Sequence, residues 1–106
     1  MVKVMFFLYR RADFDRDAFA RYSRDVHVPL VSRAPGLRRY VVNHATAALP
    51  APAHACDAVA ELWFDSVEAF QTAVASPEGA AALADQANYL DLERTYAVLG
   101  DETVVR

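Results

Sequence analysis

The run Tyr22-Ser-Arg-Asp-Val-His27-Val-Pro29-Leu30, followed by Pro35-Gly36-Leu37 and Tyr40, carries the chain from a helix into a strand. Proline has no N–H to donate to the carbonyl four residues earlier. It also pushes the preceding residue, Val28, away from helical dihedral angles. We therefore expect the helix to kink or loosen at His27, with a turn at Pro35-Gly36 and a strand beyond it.

His27 is the first candidate for a functional residue. Imidazole changes charge near neutral pH, so a histidine at a helix irregularity is a candidate for acid–base chemistry. Unsatisfied carbonyls near a helix C-terminus and a neighbouring carboxylate would favour the charged ring, whereas burial would oppose it. The alternative is a structural or solvated histidine that caps helix carbonyls.

The composition is that of one small domain with an excess of apolar residues. The chain has 106 residues, of which 55% are hydrophobic. This excess indicates further buried surface, either a subunit interface or an apolar pocket. The net charge of −3 argues against a nucleic-acid partner, which would require a basic face. The single Cys56 excludes an internal disulfide.

The sequence also bears on localisation. The apolar N-terminal run 1–9 is followed by Arg10 and Arg11 and lacks a small-residue cleavage site, so it is typical of a strand and not of a signal peptide. No apolar run is long enough to span a bilayer. We expect a cytoplasmic protein without membrane association.

Hydrophobic spacing predicts the element order β-α-β-β-α(α)-β. Strands are predicted over 2–9, 37–45, 57–65 and 94–104, with a loop over 47–55. A helix is predicted from about 15 to the kink near 28, with a further turn to about 33; Asp13 or Asp15 can cap it. Two more follow Ser66 and Ser76-Pro77. The order is that of an α+β, ferredoxin-like fold: two helices against one face of a four-stranded antiparallel sheet.

The second face of this sheet is predicted to be apolar. By alternation it carries Met5, Phe7, Tyr9, Glu61 and Trp63, a set too apolar to leave in water. A second copy packed face to face would cover it, giving a dimeric α+β barrel with a pocket between sheet and helix in each subunit. A slip of one residue in a strand would invert this assignment.

Several short motifs, in order along nearly the whole chain, are similar to those of one family: Leu8-Tyr-Arg-Arg11, Phe19 with Tyr22, His27-Val-Pro-Leu30, Pro35-Gly-Leu37, Arg39-Tyr40, Asn43-His44, Ala60-Glu-Leu-Trp-Phe-Asp65, Ser76-Pro-Glu-Gly79 and Asp91. With this ordered set the chain, residues 1–106, resembles a single domain of the EthD family, a branch of the dimeric α+β barrel superfamily.

The resemblance implies a pocket more firmly than a reaction. The family takes its name from a small protein needed in the degradation of a branched ether, alongside a cytochrome P450 system. Relatives include cofactor-free isomerases of methylated muconolactones, polyketide cyclases, and monooxygenases without metal or flavin. They share a pocket for a small, mostly apolar, often cyclic ligand and generally hold no cofactor. In this resemblance His27 matches the family histidine that points into the pocket.

Two further residues are candidates for catalysis. The Tyr40 hydroxyl could orient a carbonyl or stabilise an enolate-like oxygen, or Tyr40 could be an ordinary core residue. Glu61 lies in the middle of a strand beside Trp63. In an apolar pocket its pKa would be raised and it could act as an acid or base. Otherwise it is paired with an arginine such as Arg39, or makes an interface contact.

Five residues are candidates for contact with the ligand. Phe7 and Trp63 could supply flat apolar walls or belong to a dimer core. Tyr22 lies on the packed face of the first helix. Asn43 and His44 point to opposite faces, so at most one of them lines the pocket. Asp91, by its position in the family pattern, could hold His27 in one tautomer.

Three hypotheses of function remain, of which the last is a structural dimer module with a vestigial pocket and no tight ligand. The first is a cofactor-independent enzyme that acts on a lactone, phenol or quinone-like compound by proton transfer, isomerisation, dehydration, cyclisation or oxygenation, with His27 as acid or base. The second is an accessory protein that binds such a ligand without turnover and supports a partner oxidation system. His54 and Cys56 are too few to form a metal site, so we expect none.

Overall fold

The computed structural model describes residues 1–47 and 49–106. Its sheet has the strand order β2-β3-β1-β4, and every neighbouring pair is antiparallel. Helices pack on one face of this sheet, so the predicted α+β, ferredoxin-like fold is confirmed. The elements, in chain order, are β1 (Val2–Leu8), α1 (Arg16–Tyr22), a π-helical turn (Ser23–His27), α2 (Val28–Val31), β2 (Arg39–His44), β3 (Ala58–Phe64), α3 (Val67–Ala75), α4 (Pro77–Gln86) and β4 (Tyr96–Gly100).

The first helix loosens at His27, as predicted, and does so as a π turn. The N–H of Val28 donates to the carbonyl of Ser23, five residues earlier. Val28 itself remains helical, with φ −55° and ψ −45°, so the prediction that Pro29 displaces it is wrong. The restriction before proline is a preference, and here the π turn and α2, which has Pro29 in its first turn, keep Val28 helical.

The caps of the helices follow the sequence pattern. The Asp15 carboxylate accepts from the Ala18 N–H at 2.7 Å, which decides between the two candidate caps of α1. The hydroxyls of Ser66 and Ser76 cap α3 and α4 in the same way, and Pro77 begins α4. These caps satisfy N–H groups that the first turn leaves without helical partners.

Every strand is shorter than predicted, and the largest difference is at the C-terminal end of β4, which ends at Gly100 and not near Val104. β2 begins at Arg39 because residues 34–37 form a turn in which Gly36 has φ 78°, a conformation that favours glycine. β4 begins at Tyr96 because the N–H of Thr95 is bound to the Asp91 carbonyl at 3.0 Å. Between β2 and β3, the described residues of the predicted loop form neither helix nor strand; Ala48 lies outside the described residues.

Alternation along the strands divides the sheet into a helix-facing side and an open side, as predicted. The helix-facing side holds the core: Val4, Leu8, Phe19, Ala58, Ala60, Leu62, Phe64, Ala73, Tyr89 and Leu90. Lys3, Met5 and Phe7 pair with Trp63, Glu61 and Val59, and these alternate with the core residues. They therefore lie on the open side.

The helices are short. Within the part of the chain that the structure describes, none has the length and apolar character needed to cross a bilayer.

Candidate functional site

A cavity of about 70 Å³ lies between the helix-facing side of the sheet and the helices. Most of its lining is apolar, and five lining residues are polar: Ser23, His27, Tyr40, Gln86 and Tyr89. Val74 and Leu83 also line it and are 37% and 43% exposed, so the cavity reaches the surface between α3 and α4. A concave apolar site with a few polar groups is typical of small-molecule binding.

His27 lies in the wall of this cavity and is held there by Asp85. Its Nδ1 lies 2.9 Å from Asp85 Oδ2, and its side chain is only 8% exposed. The π turn brings His27 and Ser23, both buried, onto the cavity side. Asp85 comes from the last turn of α4, so the pair also links the first helix to the fourth.

Asp85 has two further donors. The Tyr22 hydroxyl donates to its Oδ1 at 2.6 Å, and the Asn88 side-chain amide donates to the same oxygen at 3.0 Å. A buried carboxylate needs such partners. Tyr22, predicted to contact the ligand, is absent from the cavity lining and instead holds Asp85 in place.

The charges of the pair follow from burial and hydrogen bonding. Burial lowers the pKa of His27, and the Asp85 carboxylate opposes that effect without overcoming it. Burial would raise the pKa of Asp85, but hydrogen bonds from Tyr22, Asn88 and His27 hold it below its usual value. At neutral pH the pair is therefore a neutral imidazole beside a carboxylate. Nδ1–H donates to Asp85, which leaves Nε2 with a free lone pair.

Two expectations about His27 are corrected by this geometry. Asp91 does not hold the imidazole, because the Oδ1 atom of Asp91 accepts from the N–H of Glu93 at 3.2 Å. Asp85 has the role that was predicted for Asp91. The ring does not gain charge from a helix C-terminus either, because the chain continues as helix through Val31 and burial dominates.

Two tyrosines complete the polar part of the lining. Burial raises the pKa of Tyr40 to about 12 and raises the pKa of Tyr89 as well, so both hydroxyls stay protonated as donors. Tyr89 is completely buried, and its ring centroid lies 4.9 Å from that of His27. Its hydroxyl has no hydrogen-bond partner among the described residues.

The remaining candidates lie on the open side of the sheet, away from His27. Glu61 forms an ion pair with Lys3 and accepts from the Asn43 amide at 2.9 Å. Trp63 lies between Lys3 and Arg39, each 4.8 Å from its ring. The Lys3 ammonium holds the pKa of Glu61 below its usual value, so the raised pKa predicted for it is wrong.

Phe7 is on the same open side. Its ring stacks on Tyr96 with a centroid separation of 5.0 Å. The structure therefore separates the sequence candidates into two groups: His27 and Tyr40 at the cavity, and Phe7, Asn43, Glu61 and Trp63 on the opposite face.

No candidate metal centre is found in the described part of the chain, where no three histidine, cysteine, aspartate or glutamate side chains lie together as possible ligands.

Asp85 and Tyr89 are site residues that the sequence reasoning missed. One signal was available for Asp85: the last turn of a helix is an unfavourable place for a carboxylate because of the helix dipole. An acidic residue at that position in an alanine-rich helix indicates a specific partner. Tyr89 follows at a spacing of four residues and had no comparable signal.

Comparison with known proteins assigns the chain to a family. The family model described as EthD domain matches residues 11–93. An uncharacterized 11.0 kDa protein in the thcB-thcC intergenic region of Rhodococcus erythropolis is 35% identical over 91 residues, which cover 86% of this chain and 87% of that protein. An EthD family protein of Bacillus halodurans C-125 superimposes with a TM-score of 0.79 at 26% identity, covering 97% of this chain and 99% of that one.

A more distant likeness concerns the fold alone. A dimeric ferredoxin-like protein of unknown function from Thermobifida fusca YX matches with a TM-score of 0.72 at 18% identity, covering 93% of this chain and 88% of that one.

Proposed function

Because the chain belongs to the EthD family, we propose that its cavity binds a small, largely apolar, cyclic compound and that His27 moves a proton on it. The observation that carries the proposal is the His27–Asp85 pair in the cavity wall, with Nδ1 committed to the carboxylate and Nε2 uncommitted. General acid–base catalysis requires such an oriented ring.

The lowered pKa of His27 suits a general base. A neutral Nε2 takes a proton from a carbon next to a carbonyl, and the electron pair of the broken C–H bond moves onto the carbonyl oxygen as an enolate. The Asp85 carboxylate stabilises the imidazolium that forms, and the Tyr40 hydroxyl donates to the enolate oxygen. Delivery of the proton to another carbon gives an isomer. When the imidazolium first exchanges its proton with solvent, delivery to the same carbon gives hydrogen exchange.

The lining sets the class of ligand. Phenylalanine, leucine, valine and alanine side chains make up most of the wall, so a ring or short branched skeleton fits them better than a charged molecule. The polar groups of the lining belong to Ser23, His27, Tyr40, Gln86 and Tyr89, so a ligand needs only one oxygen on its ring to hydrogen-bond with some of them.

A carrier is the second candidate function. The predominance of apolar lining also suits a protein that shields a hydrophobic intermediate and passes it to a partner oxidation system. Such a protein binds the same ligands without moving a proton, so binding and proton transfer must be measured separately.

We also propose that the open side of the sheet is covered by a second copy. Val98 is 42% and Tyr96 51% exposed there, beside the partly buried Met5 and Phe7. Exposed apolar surface of this kind marks an interface, and the Thermobifida fusca protein of the same fold is described as dimeric. Glu61 and Trp63 then serve as interface contacts.

Proton transfer can be tested with cyclohexanone, a small ring whose carbonyl activates the neighbouring C–H bonds. In D₂O, NMR follows the loss of these protons with and without the protein. We expect the wild type to accelerate exchange and His27→Gln to lose about 10²–10⁴-fold of that acceleration. His54→Gln is the matched control, since His54 is an exposed loop residue.

The outcomes separate the hypotheses. Accelerated exchange that depends on His27 supports the enzyme. Saturable binding of cyclohexanone without acceleration supports the carrier. If His27→Gln exchanges as fast as the wild type, the catalytic role of His27 is refuted.

A further inference from the structure

Tyr89 is a buried hydroxyl without a partner, next to the candidate base. It lines the cavity, none of its surface is exposed, and its hydroxyl makes no hydrogen bond to any residue that the structure describes. Buried polar groups are nearly always paired, so an unpaired one calls for an explanation.

The tyrosine ring is fixed by its neighbours. It stacks on Phe19 and Tyr22 with centroid separations of 5.4 and 5.0 Å, and it lies at 4.9 Å from the His27 ring. These contacts fix the ring, so the position of the hydroxyl is set before a ligand binds.

Tyr40 lines the same cavity as Tyr89. Both hydroxyls remain protonated at neutral pH. Two tyrosine donors in the lining of one apolar cavity match an oxygen with two lone pairs.

We propose that Tyr89 and Tyr40 together bind one acceptor oxygen of the ligand, so that the cavity selects ring compounds that carry a carbonyl or enolate oxygen over hydrocarbons of the same shape. This inference rests on the proposed function, because it names the substrate class of the same cavity. It adds Tyr89 as a binding residue, and it places the ligand oxygen at the tyrosine pair.

The test compares two probes of one shape. Cyclohexanone has a carbonyl oxygen where methylenecyclohexane has a CH₂ group. Dissociation constants for both are measured by NMR titration with wild type, Tyr89→Phe and Tyr40→Phe. Tyr9→Phe is the matched control, because Tyr9 lies outside the cavity, under the Arg94 guanidinium at 4.4 Å.

We expect the wild type to bind cyclohexanone about 10-fold more tightly than methylenecyclohexane, in line with one or two net hydrogen bonds. Tyr89→Phe and Tyr40→Phe should each lose most of this preference by weakening cyclohexanone alone, and Tyr9→Phe should keep it. Equal binding of the two probes by the wild type, or an unchanged preference in Tyr89→Phe, refutes the inference while cavity binding stands. If neither probe binds, the proposed function fails and the inference fails with it.

Stability of the free protein gives a second reading. Removing an unpaired hydroxyl should leave the melting temperature of Tyr89→Phe equal to that of the wild type or higher. A clear decrease in the melting temperature would show that the hydroxyl already has a structural partner, which contradicts a donor kept free for a ligand.

Discussion

The Nδ1 atom of His27 lies 2.9 Å from a carboxylate oxygen of Asp85. The contact joins the π turn of the first helix to the last turn of α4, and Tyr22 and Asn88 hold the carboxylate from the other side. One hydrogen bond thus fixes the tautomer of the ring, its orientation toward the cavity and the packing of two helices.

Replacing Asp85 by Asn should lower the pKa of His27 further. The carboxylate raises that pKa against the effect of burial, and an amide keeps the shape of the side chain without the charge. NMR titration of the His27 ring measures the shift, with Asp91→Asn as the control that leaves His27 unchanged. Loss of the charge-assisted hydrogen bonds should also lower the free energy of unfolding by about 1.5–3 kcal/mol. A raised pKa in Asp85→Asn would contradict the assigned pair.

Acid should destabilise the protein through His27. The unfolded chain takes up this proton near pH 6.5, whereas the folded protein takes it up only at lower pH, because burial lowers the pKa. Below pH 6.5 the unfolded state therefore binds more protons, and stability falls as the pH falls. Urea unfolding between pH 8 and pH 5 measures the slope.

His27→Gln should flatten this slope in part, since His44 also has a lowered pKa and acts in the same direction. A slope that His27→Gln does not change would show that the ring titrates alike in the folded and unfolded chain.

Gly79→Ala should be strongly destabilising. A Cβ at Gly79 would lie 2.0 Å from the Ala73 carbonyl oxygen, so α3 and α4 would have to separate, at a cost of about 1–3 kcal/mol or more. Gly36→Ala is the comparison: its φ is positive but nothing lies within 4 Å of the added atom, so about 1 kcal/mol of backbone strain is expected. Thermal unfolding of both variants measures the difference, and equal melting temperatures would contradict the close helix approach.

Val98→Arg should weaken the proposed dimer. Val98 pairs with Met5 on the open side, where a charge would be buried by a second copy. Leu92→Arg is the control, because Leu92 is 52% exposed in the connection before β4. Light scattering at micromolar concentration should show a dimer for the wild type and Leu92→Arg, and a monomer for Val98→Arg. A monomeric wild type would leave the open side uncovered and contradict this assembly.

Glu61→Gln should leave cyclohexanone exchange at the wild-type rate. The Glu61 side chain is bound to Lys3 and Asn43 on the face of the sheet opposite the cavity. A loss of exchange comparable to that of His27→Gln would assign Glu61 a catalytic role after all.

Local patterns in the sequence were enough for the fold and for part of the site. The helix caps depend on contacts within a few residues, and they were predicted at Asp13 or Asp15, at Ser66 and at Ser76. The alternation along β1 and β3 is visible within each strand, and it determines which face of the strand meets the helices. His27 was identified because the neighbouring Pro29 predicts an irregular helix at that position.

Contacts between side chains that are far apart in the sequence could not be predicted in the same way. Asp85 is 58 positions from His27, and although its place in the last turn of a helix indicates a partner, no local rule identifies that partner as His27. The lowered pKa of Glu61 depends on Lys3 of a neighbouring strand. The alternation of Glu61 with Ala60 and Leu62 already indicated that it lies on the opposite face of the sheet from them. Val28 stayed helical although the residue before a proline disfavours that conformation.

The ¹⁵N NMR spectrum of the His27 ring at pH 7, recorded without ligand and during titration with cyclohexanone, shows directly whether Asp85 presents His27 as a base to a ligand in the cavity. We expect a neutral ring with the proton on Nδ1, an unprotonated Nε2, and a shift of the Nε2 signal that saturates as the cavity fills. A charged ring, a proton on Nε2, or a signal that cyclohexanone does not move would refute this role of the pair.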